Sequence, residues 1–135
     1  LGDVYKRQAH VIGRSIIENE LSETIAERIK HVLLISPITD LKPLLYTDKK
    51  DDLLLTDEIA NSETLPDLNL AENMKVTIWV GADERPIYLE QAQQLATVWR
   101  CGWVKSMNRH HLDIADDLGK NSSQLMNTLL AYRLK

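Results

Sequence analysis

Two short segments of the sequence concentrate the side chains that could take part in catalysis. The segment GADERP, residues 81–86, places the carboxylates of Asp83 and Glu84 directly after an apolar run. The segment NRHHLDIADDL, residues 108–118, carries the adjacent imidazoles of His110 and His111. An imidazole transfers protons near neutral pH, and a carboxylate hydrogen-bonded to it fixes its orientation. These are two of the three members of an acyl-transfer triad.

The strands that must position these side chains are predicted from apolar runs. HVLLIS, residues 31–36, is continuous and predicts a central parallel strand that is buried on both faces. KVTIWVG, residues 75–81, alternates β-branched and aromatic residues and ends at a glycine, which also predicts a strand. GWVKSM, residues 102–107, is a weaker strand candidate because Lys105 and Ser106 interrupt it.

The helices are predicted from apolar residues at spacings of three and four. Pro86 suits the first turn of a helix, where its missing N–H costs nothing. Asn121 to Ser123 supply cap residues for the last helix. The predicted helical segments start at Ala9 with a break near Leu21 and Ser22, form a turn over residues 40–45, and cover residues 53–60, 86–101 and about 124–132.

Strands that alternate with helices indicate the α/β fold class, with a parallel sheet covered on both faces in three layers. The functional residues of such sheets lie on loops just past the carboxyl ends of the strands, and residues 81–86 and 108–118 both fall on such loops. Three strands alone leave a long apolar edge without a partner. The pattern therefore resembles the second part of a larger sheet whose N-terminal strands are missing.

The first eight residues, LGDVYKRQ, are interpreted as foreign to the protein. They have no apolar core and therefore do not form a secretory leader. DVYKRQ matches a translated transposon end of the kind used to prepare sequencing libraries. This interpretation treats residues 1–8 as a sequencing or assembly scar and residues 9–135 as the C-terminal part of one domain.

Three segments in order resemble the C-terminal half of the kynurenine formamidase (arylformamidase)-like α/β-hydrolases. They are SPITDLKPLLYTDKKDDLLLTDEIANSE, then VTIWVGADERPIYLEQAQQLA, then HHLDIADDL. The resemblance implies a serine hydrolase that cleaves a small-molecule aryl formamide such as N-formylkynurenine, or a carboxylic ester, through an acyl-enzyme with no metal or organic cofactor. Because the family's GxSxG nucleophile motif is missing, this chain alone is expected to be inactive.

The resemblance also implies roles for individual residues. His111 takes the place of the family's catalytic histidine and would be the general base. Glu84 is the preferred triad acid, with Asp83 as the alternative, since the fold accepts either acid. Asp40 matches a DLxPL segment, which implies a position near the substrate pocket or a role in holding its loop.

Two other classes of function remain as alternatives. His110, His111, Asp113, Asp116 and Asp117 could form a metal-binding cluster, since imidazoles and carboxylates are good ligands, but adjacent residues rarely converge on one ion. A small non-catalytic α/β module that binds a partner along its open sheet edge is the second alternative.

Composition narrows the set of partners. The formal net charge is −4, and no cluster of Lys and Arg extends beyond Lys49 and Lys50, so a nucleic-acid partner is not expected. Apolar runs such as residues 32–35 are too short to span a bilayer, so no membrane partner is expected. The single cysteine, Cys101, excludes an internal disulfide and is compatible with the cytoplasm, which is the predicted location.

Overall fold

The computed structural model describes residues 10–15, 21–65 and 74–131. Residues 10–15 are helical and are called α1 here. The other helices and strands are α2 (Glu23–Ala26), β1 (His31–Ile35), a 3₁₀ turn (Lys42–Tyr46), α3 (Lys49–Asp52), α4 (Asp57–Ser62), β2 (Lys75–Gly81), α5 (Pro86–Val98), β3 (Gly102–Ser106), a second 3₁₀ turn (Ile114–Gly119) and α6 (Gln124–Leu130). This order confirms a mixed α/β fold.

The three described strands form one parallel sheet in the order β1, β2, β3. His31 pairs with Lys75 and Ile35 with Trp79 across the first ladder. Gly81 pairs with Ser106 at the end of the second ladder. The strands therefore end close together, and the loops that follow them meet at the carboxyl edge of the sheet.

Helices and turns cover both faces of this sheet. On one face, α5 and Leu65 pack on alternate residues of β1 and β2; this core consists of Val32, Leu34, Leu65, Val76, Ile78, Val80, Ala92, Leu95, Ala96 and Trp99. On the other face, Trp79 packs with Ile114 of the second 3₁₀ turn and Leu125 of α6. The prediction of a sheet covered on both sides is confirmed for the described residues.

The three predicted strands are confirmed; β2 has its predicted bounds, and β1 and β3 each end one residue earlier than predicted. Residues 31–36 were expected to form a central strand, whereas β1 lies at an edge of the described sheet and β2 lies in the middle. The burial of β1 alternates along the strand, whereas β2 is buried from Val76 to Gly81. The expected burial of β1 on both faces is therefore only partly observed, since the side chains on one of its faces are half-buried.

Within the described residues, the helix predictions are confirmed except in the segment between β1 and β2; Ala9, residues 16–20 and Tyr132 of the predicted helices lie outside the described residues. The helix expected over residues 53–60 instead starts at Asp57, because the Thr56 hydroxyl accepts a hydrogen bond from the Ile59 N–H at 3.2 Å and caps it. Residues 49–52, for which no helix was predicted, form α3, in which Lys49 Nζ lies 3.3 Å from Asp52 Oδ2. None of the helices within the described ranges is long and apolar enough to cross a membrane.

The first helical segment packs against the main core. A Cβ atom on Gly13 would lie 3.3 Å from Leu65 Cδ1 and 3.5 Å from Trp99 Cη2, so α1 approaches these side chains closely. The break predicted near Leu21 and Ser22 is confirmed, since α2 starts only at Glu23. Residues 1–8, interpreted as a scar, lie outside the described residues.

Candidate active site

Hydrogen bonds join the loops at the carboxyl edge of the sheet. The Ser36 N–H donates to the Trp79 carbonyl at 2.8 Å and ties the end of β1 to β2. The Ala82 N–H donates to the Ser106 carbonyl at 2.8 Å and ties the end of β2 to β3. The residues that follow the three strands are therefore held in fixed positions relative to one another.

The loop after β3 passes directly over the end of β2. A Cβ atom on Gly81 would lie 2.3 Å from the Arg109 carbonyl oxygen, closer than any side chain could be tolerated. The same carbonyl accepts a hydrogen bond from the Asp83 N–H at 2.9 Å. Only glycine fits at position 81, and this close approach brings the following residues, including His111, over the loop that carries Glu84.

Glu84 is the centre of the resulting site and is only 6% exposed. Its Oε1 accepts hydrogen bonds from the Ser36 hydroxyl at 2.5 Å and from the Gly81 N–H at 2.8 Å, and its Oε2 is hydrogen-bonded to His111 Nδ1. Burial by itself raises the pKa of the Glu84 carboxyl, because it disfavours the charged form. The hydrogen bonds, led by the one from His111, outweigh burial and lower the pKa of Glu84 below its ordinary value. Glu84 is therefore an anion at neutral pH.

The Glu84 carboxylate determines the tautomer of His111. An ionised carboxylate can only accept hydrogen bonds, so Nδ1 of His111 carries a proton and Nε2 is the basic nitrogen of the neutral ring. The ring is also stacked on Tyr88, with ring centroids 4.1 Å apart and an angle of 15° between the planes. A carboxylate on one nitrogen and an aromatic ring against one face leave the imidazole little freedom to rotate.

His111 and Tyr88 line a cavity of about 320 Å³. This volume is at the lower end of the range for small-molecule sites, which is about 300–1,000 Å³. The other lining residues come from α1 and from the segment between β1 and β2; they are His10, Val11, Ile38, Leu41, Leu44, Lys49, Asp52 and Leu53. A basic imidazole nitrogen beside an apolar cavity can accept a proton from a group that attacks a bound substrate.

Of the two acids predicted from the sequence, the structure brings Glu84 and not Asp83 to His111. The Asp83 side chain is exposed, and its backbone N–H takes part in the contact with Arg109. His110 is also exposed and pairs locally with Asp113, with its Nε2 at 3.4 Å from Asp113 Oδ2. The preference for Glu84 and His111 therefore agrees with the geometry, while their catalytic role stays a prediction.

Asp40 holds the loop after β1. Its Oδ1 accepts hydrogen bonds from the Lys42 N–H at 2.9 Å and from the Thr64 hydroxyl at 3.4 Å. Its backbone carbonyl accepts a hydrogen bond from Gln91 Nε2 of α5 at 3.0 Å. Its neighbour Leu41 lines the cavity, so Asp40 lies beside the pocket and fixes its wall.

Two acidic residues of the cluster considered for metal binding, Asp113 and Asp117, are engaged in ion pairs. Both oxygens of Asp117 accept hydrogen bonds from the Arg109 guanidinium at 2.8 Å, and Lys120 Nζ lies 3.0 Å from Oδ1. The Arg109 hydrogen bonds lower the pKa of Asp117 to about 2. Among the described residues, no group of three or more His, Cys, Asp or Glu side chains is placed to hold a metal ion.

Three residues of the site were not found from the sequence. Ser36 is fully buried and has a φ of 45°, a conformation that non-glycine residues seldom adopt, and it donates its hydroxyl to Glu84. Tyr88 lies in the first turn of α5, and His10 lies in α1. His10 Nδ1 donates to the Ile38 carbonyl at 2.9 Å, and the ring also lines the cavity. For Ser36, the available signal in the sequence was its position at the end of a predicted strand, where the functional residues of parallel sheets lie.

Comparison with solved structures gives an informative similarity. No family model matches the chain, and no curated protein matches it. Among solved structures, the chain is similar to a putative thioesterase from Silicibacter sp. TM1040, with 32% identity and a TM-score of 0.78. The similarity covers 87% of this chain and 45% of the other, so the chain spans less than half the length of that protein.

This similarity corrects the interpretation drawn from the three sequence segments. The assignment to the kynurenine formamidase-like α/β-hydrolases is wrong, because the similar structure is described as a thioesterase. The expected aryl formamide or carboxylic ester substrate is corrected with it, as is the interpretation of the chain as an inactive part of a serine hydrolase without its GxSxG motif. The segments misled because they form strand ends, the Gly81 turn and the loop of His111. These features hold an acid and an imidazole together and do not specify the leaving group.

Proposed function

We propose that the chain belongs to a thioester hydrolase in which Glu84 and His111 form the acid–base pair. The observation that carries the proposal is the buried Glu84 carboxylate bound to His111 Nδ1 beside an apolar cavity. The similarity to a protein described as a thioesterase supports the choice of reaction. The substrate would be a small-molecule thioester.

The chemistry assigned to the pair is general base catalysis. Nε2 of His111 accepts a proton from the water molecule that attacks the thioester carbonyl carbon, and Glu84 stabilises the imidazolium that forms. The C–S bond then breaks and releases the carboxylic acid and the thiolate. Ser36 and Gly81 hold the carboxylate through its other oxygen, so that it cannot turn away from the imidazole. Their hydrogen bonds also keep Glu84 ionised, which is the state that this role requires.

A thioester suits a site with one acid–base pair. A thiol has a pKa of about 8.5 and can leave as the thiolate, so the departing group needs little protonation. An amine or an alcohol is a much poorer leaving group and needs a well-placed proton donor. The proton held by His111 is sufficient to neutralise the thiolate after the bond has broken.

The proposal is tested by measuring thiol release from an acyl thioester with a chromogenic thiol reagent. We expect His111→Gln to lower kcat by a factor of about 10² to 10⁴, the usual contribution of a general base. Asp83→Asn is the matched control, since this exposed carboxylate follows the same strand without contacting His111. It should retain the rate of the unsubstituted chain.

The oxygen ester of the same acyl group separates a thioesterase from a general esterase. We expect the thioester to react faster. Equal rates on the two esters, or thiol release that His111→Gln leaves unchanged, would contradict the proposal. Circular dichroism of each variant verifies that a lost rate is not lost folding.

A further inference from the structure

We infer that the cavity beside His111 accepts an uncharged, apolar acyl group, so that the substrate is the thioester of a simple hydrocarbon acid and not of a dicarboxylic acid. This inference rests on the proposed thioester hydrolysis and names its substrate class. It follows from the side chains of the cavity wall and from the pairing of the charges there.

The wall of the cavity is mostly aliphatic. Five of its residues present hydrocarbon side chains; they are Val11, Ile38, Leu41, Leu44 and Leu53. Tyr88 adds an aromatic ring that is already stacked on His111. Contact with these side chains favours a ligand whose own surface is apolar, because such contact removes hydrocarbon from water on both sides.

The formal charges that line the cavity neutralise each other. Lys49 Nζ lies 3.3 Å from Asp52 Oδ2, and both side chains are largely exposed, at 59% and 68%. His10 uses Nδ1 to donate to the Ile38 carbonyl. Among the described lining residues, Lys49 is thus already paired with Asp52, and His10 Nε2 lies 3.8 Å from Glu63 Oε2. A carboxylate buried in this cavity would lose its hydration without an unpaired counter-charge.

The position of the acid–base pair gives the acyl group its direction. His111 is itself part of the cavity wall. When the carbonyl carbon of the substrate lies next to the imidazole, the hydrocarbon chain of the substrate can therefore contact the aliphatic side chains of the wall. The thiol part of the substrate needs no place in the cavity. Specificity is then expected to depend on the acyl group more than on the thiol.

The first test compares thioesters of one thiol with acetyl, butanoyl, octanoyl and succinyl groups. We expect kcat/KM to rise roughly fourfold for each added methylene until the cavity is filled. The succinyl thioester should react more slowly than the butanoyl thioester, which has the same number of carbon atoms. A rate that does not change with chain length, or a preference for the succinyl group, would overturn the inference.

Variants locate the effect in the cavity. Leu44→Trp should reduce kcat/KM for the octanoyl thioester at least tenfold more than for the acetyl thioester. Tyr46→Trp is the matched control, because Tyr46 is 89% exposed and lies outside the cavity lining. Equal losses for both acyl groups with Leu44→Trp, or a comparable loss with Tyr46→Trp, would show that the octanoyl chain does not occupy the cavity.

A binding experiment separates this inference from the proposed function. The imidazole resonances of His111 are followed by NMR while an octyl thioether and its carboxylated analogue are added. We expect the uncharged thioether to bind more tightly. Binding of the thioether without any thioester turnover would support the cavity assignment and contradict the hydrolase, whereas tighter binding of the carboxylated analogue would overturn the cavity assignment alone.

Discussion

At the scale of single residues, the buried carboxylate of Glu84 connects the parts of the site. It accepts hydrogen bonds from Ser36, Gly81 and His111, which come from the ends of two strands and the loop after the third. Each partner donates to the ionised form, and together they outweigh the cost of burying the charge. The residue that orients the candidate base therefore also ties these three loops together.

This arrangement makes stability depend on the ionisation of Glu84 in acid. The folded pKa of Glu84 lies below its ordinary value of 4.5, so the unfolded chain binds more protons in that range. The stabilisation is complete above the unfolded value and is lost as the pH falls through the folded value. We expect the free energy of unfolding to fall less between about pH 6 and pH 3 in Glu84→Gln than in the unsubstituted chain.

The measurement for Glu84 is urea unfolding at a series of pH values. Glu90→Gln is the control, since Glu90 is an exposed glutamate on α5. It should keep the full pH dependence. Identical pH profiles for Glu84→Gln and Glu90→Gln would show that the Glu84 carboxylate is not stabilised by its contacts.

At the scale of elements, the end of β2 and the loop after β3 must approach within backbone contact. We expect Gly81→Ala to destabilise the protein by about 1–3 kcal/mol, because the added Cβ would meet the Arg109 carbonyl at 2.3 Å and force the loop outward. The displaced loop carries His111, so thiol release should fall as well. Thermal unfolding and the thiol assay measure the two effects.

Gly119 provides the matched control for this prediction. A Cβ atom on Gly119 would meet nothing within 4 Å, so Gly119→Ala should change the stability by less than about 0.5 kcal/mol. Equal stabilities of the two alanine variants would show that the loop has room to move away from β2 without cost.

At the scale of the whole molecule, the sheet depends on packing against both of its faces. Leu125 of α6 is fully buried and packs with Trp79 and Ile114. We expect Leu125→Ala to cost about 2–5 kcal/mol in the free energy of unfolding, because it leaves a cavity against the central strand. Chemical denaturation measures this loss.

Gln124, the exposed neighbour of Leu125 on α6, is the control for packing. Gln124→Ala keeps the helix and the Ser123 cap, so its stability should stay within about 0.5 kcal/mol of the unsubstituted chain. A small effect of Leu125→Ala would mean that α6 does not contribute to the core on this face.

Features that depend on neighbouring residues could be predicted from the sequence. The apolar run ending at Gly81 predicted β2 with its observed bounds, and Pro86 predicted the start of α5. The sequence also predicted that an acid and a histidine lie on loops at one edge of a parallel sheet. Strand propensity, proline geometry and the rule for strand ends all operate within short segments, so they are readable without the fold.

Which of these residues act together depends on the tertiary structure. Asp83 and Glu84 are adjacent, yet one is exposed and the other contacts His111, because the turn after β2 points their side chains in opposite directions. The role of Ser36, the stacking of Tyr88 and the composition of the cavity depend on residues far apart in the chain. The three segments that resemble the kynurenine formamidase-like family led to a wrong family assignment. They carry the acid–histidine pair, which does not by itself specify the substrate. In the proposed function the substrate would be selected by the surrounding cavity, whose lining comes from residues far apart in the chain.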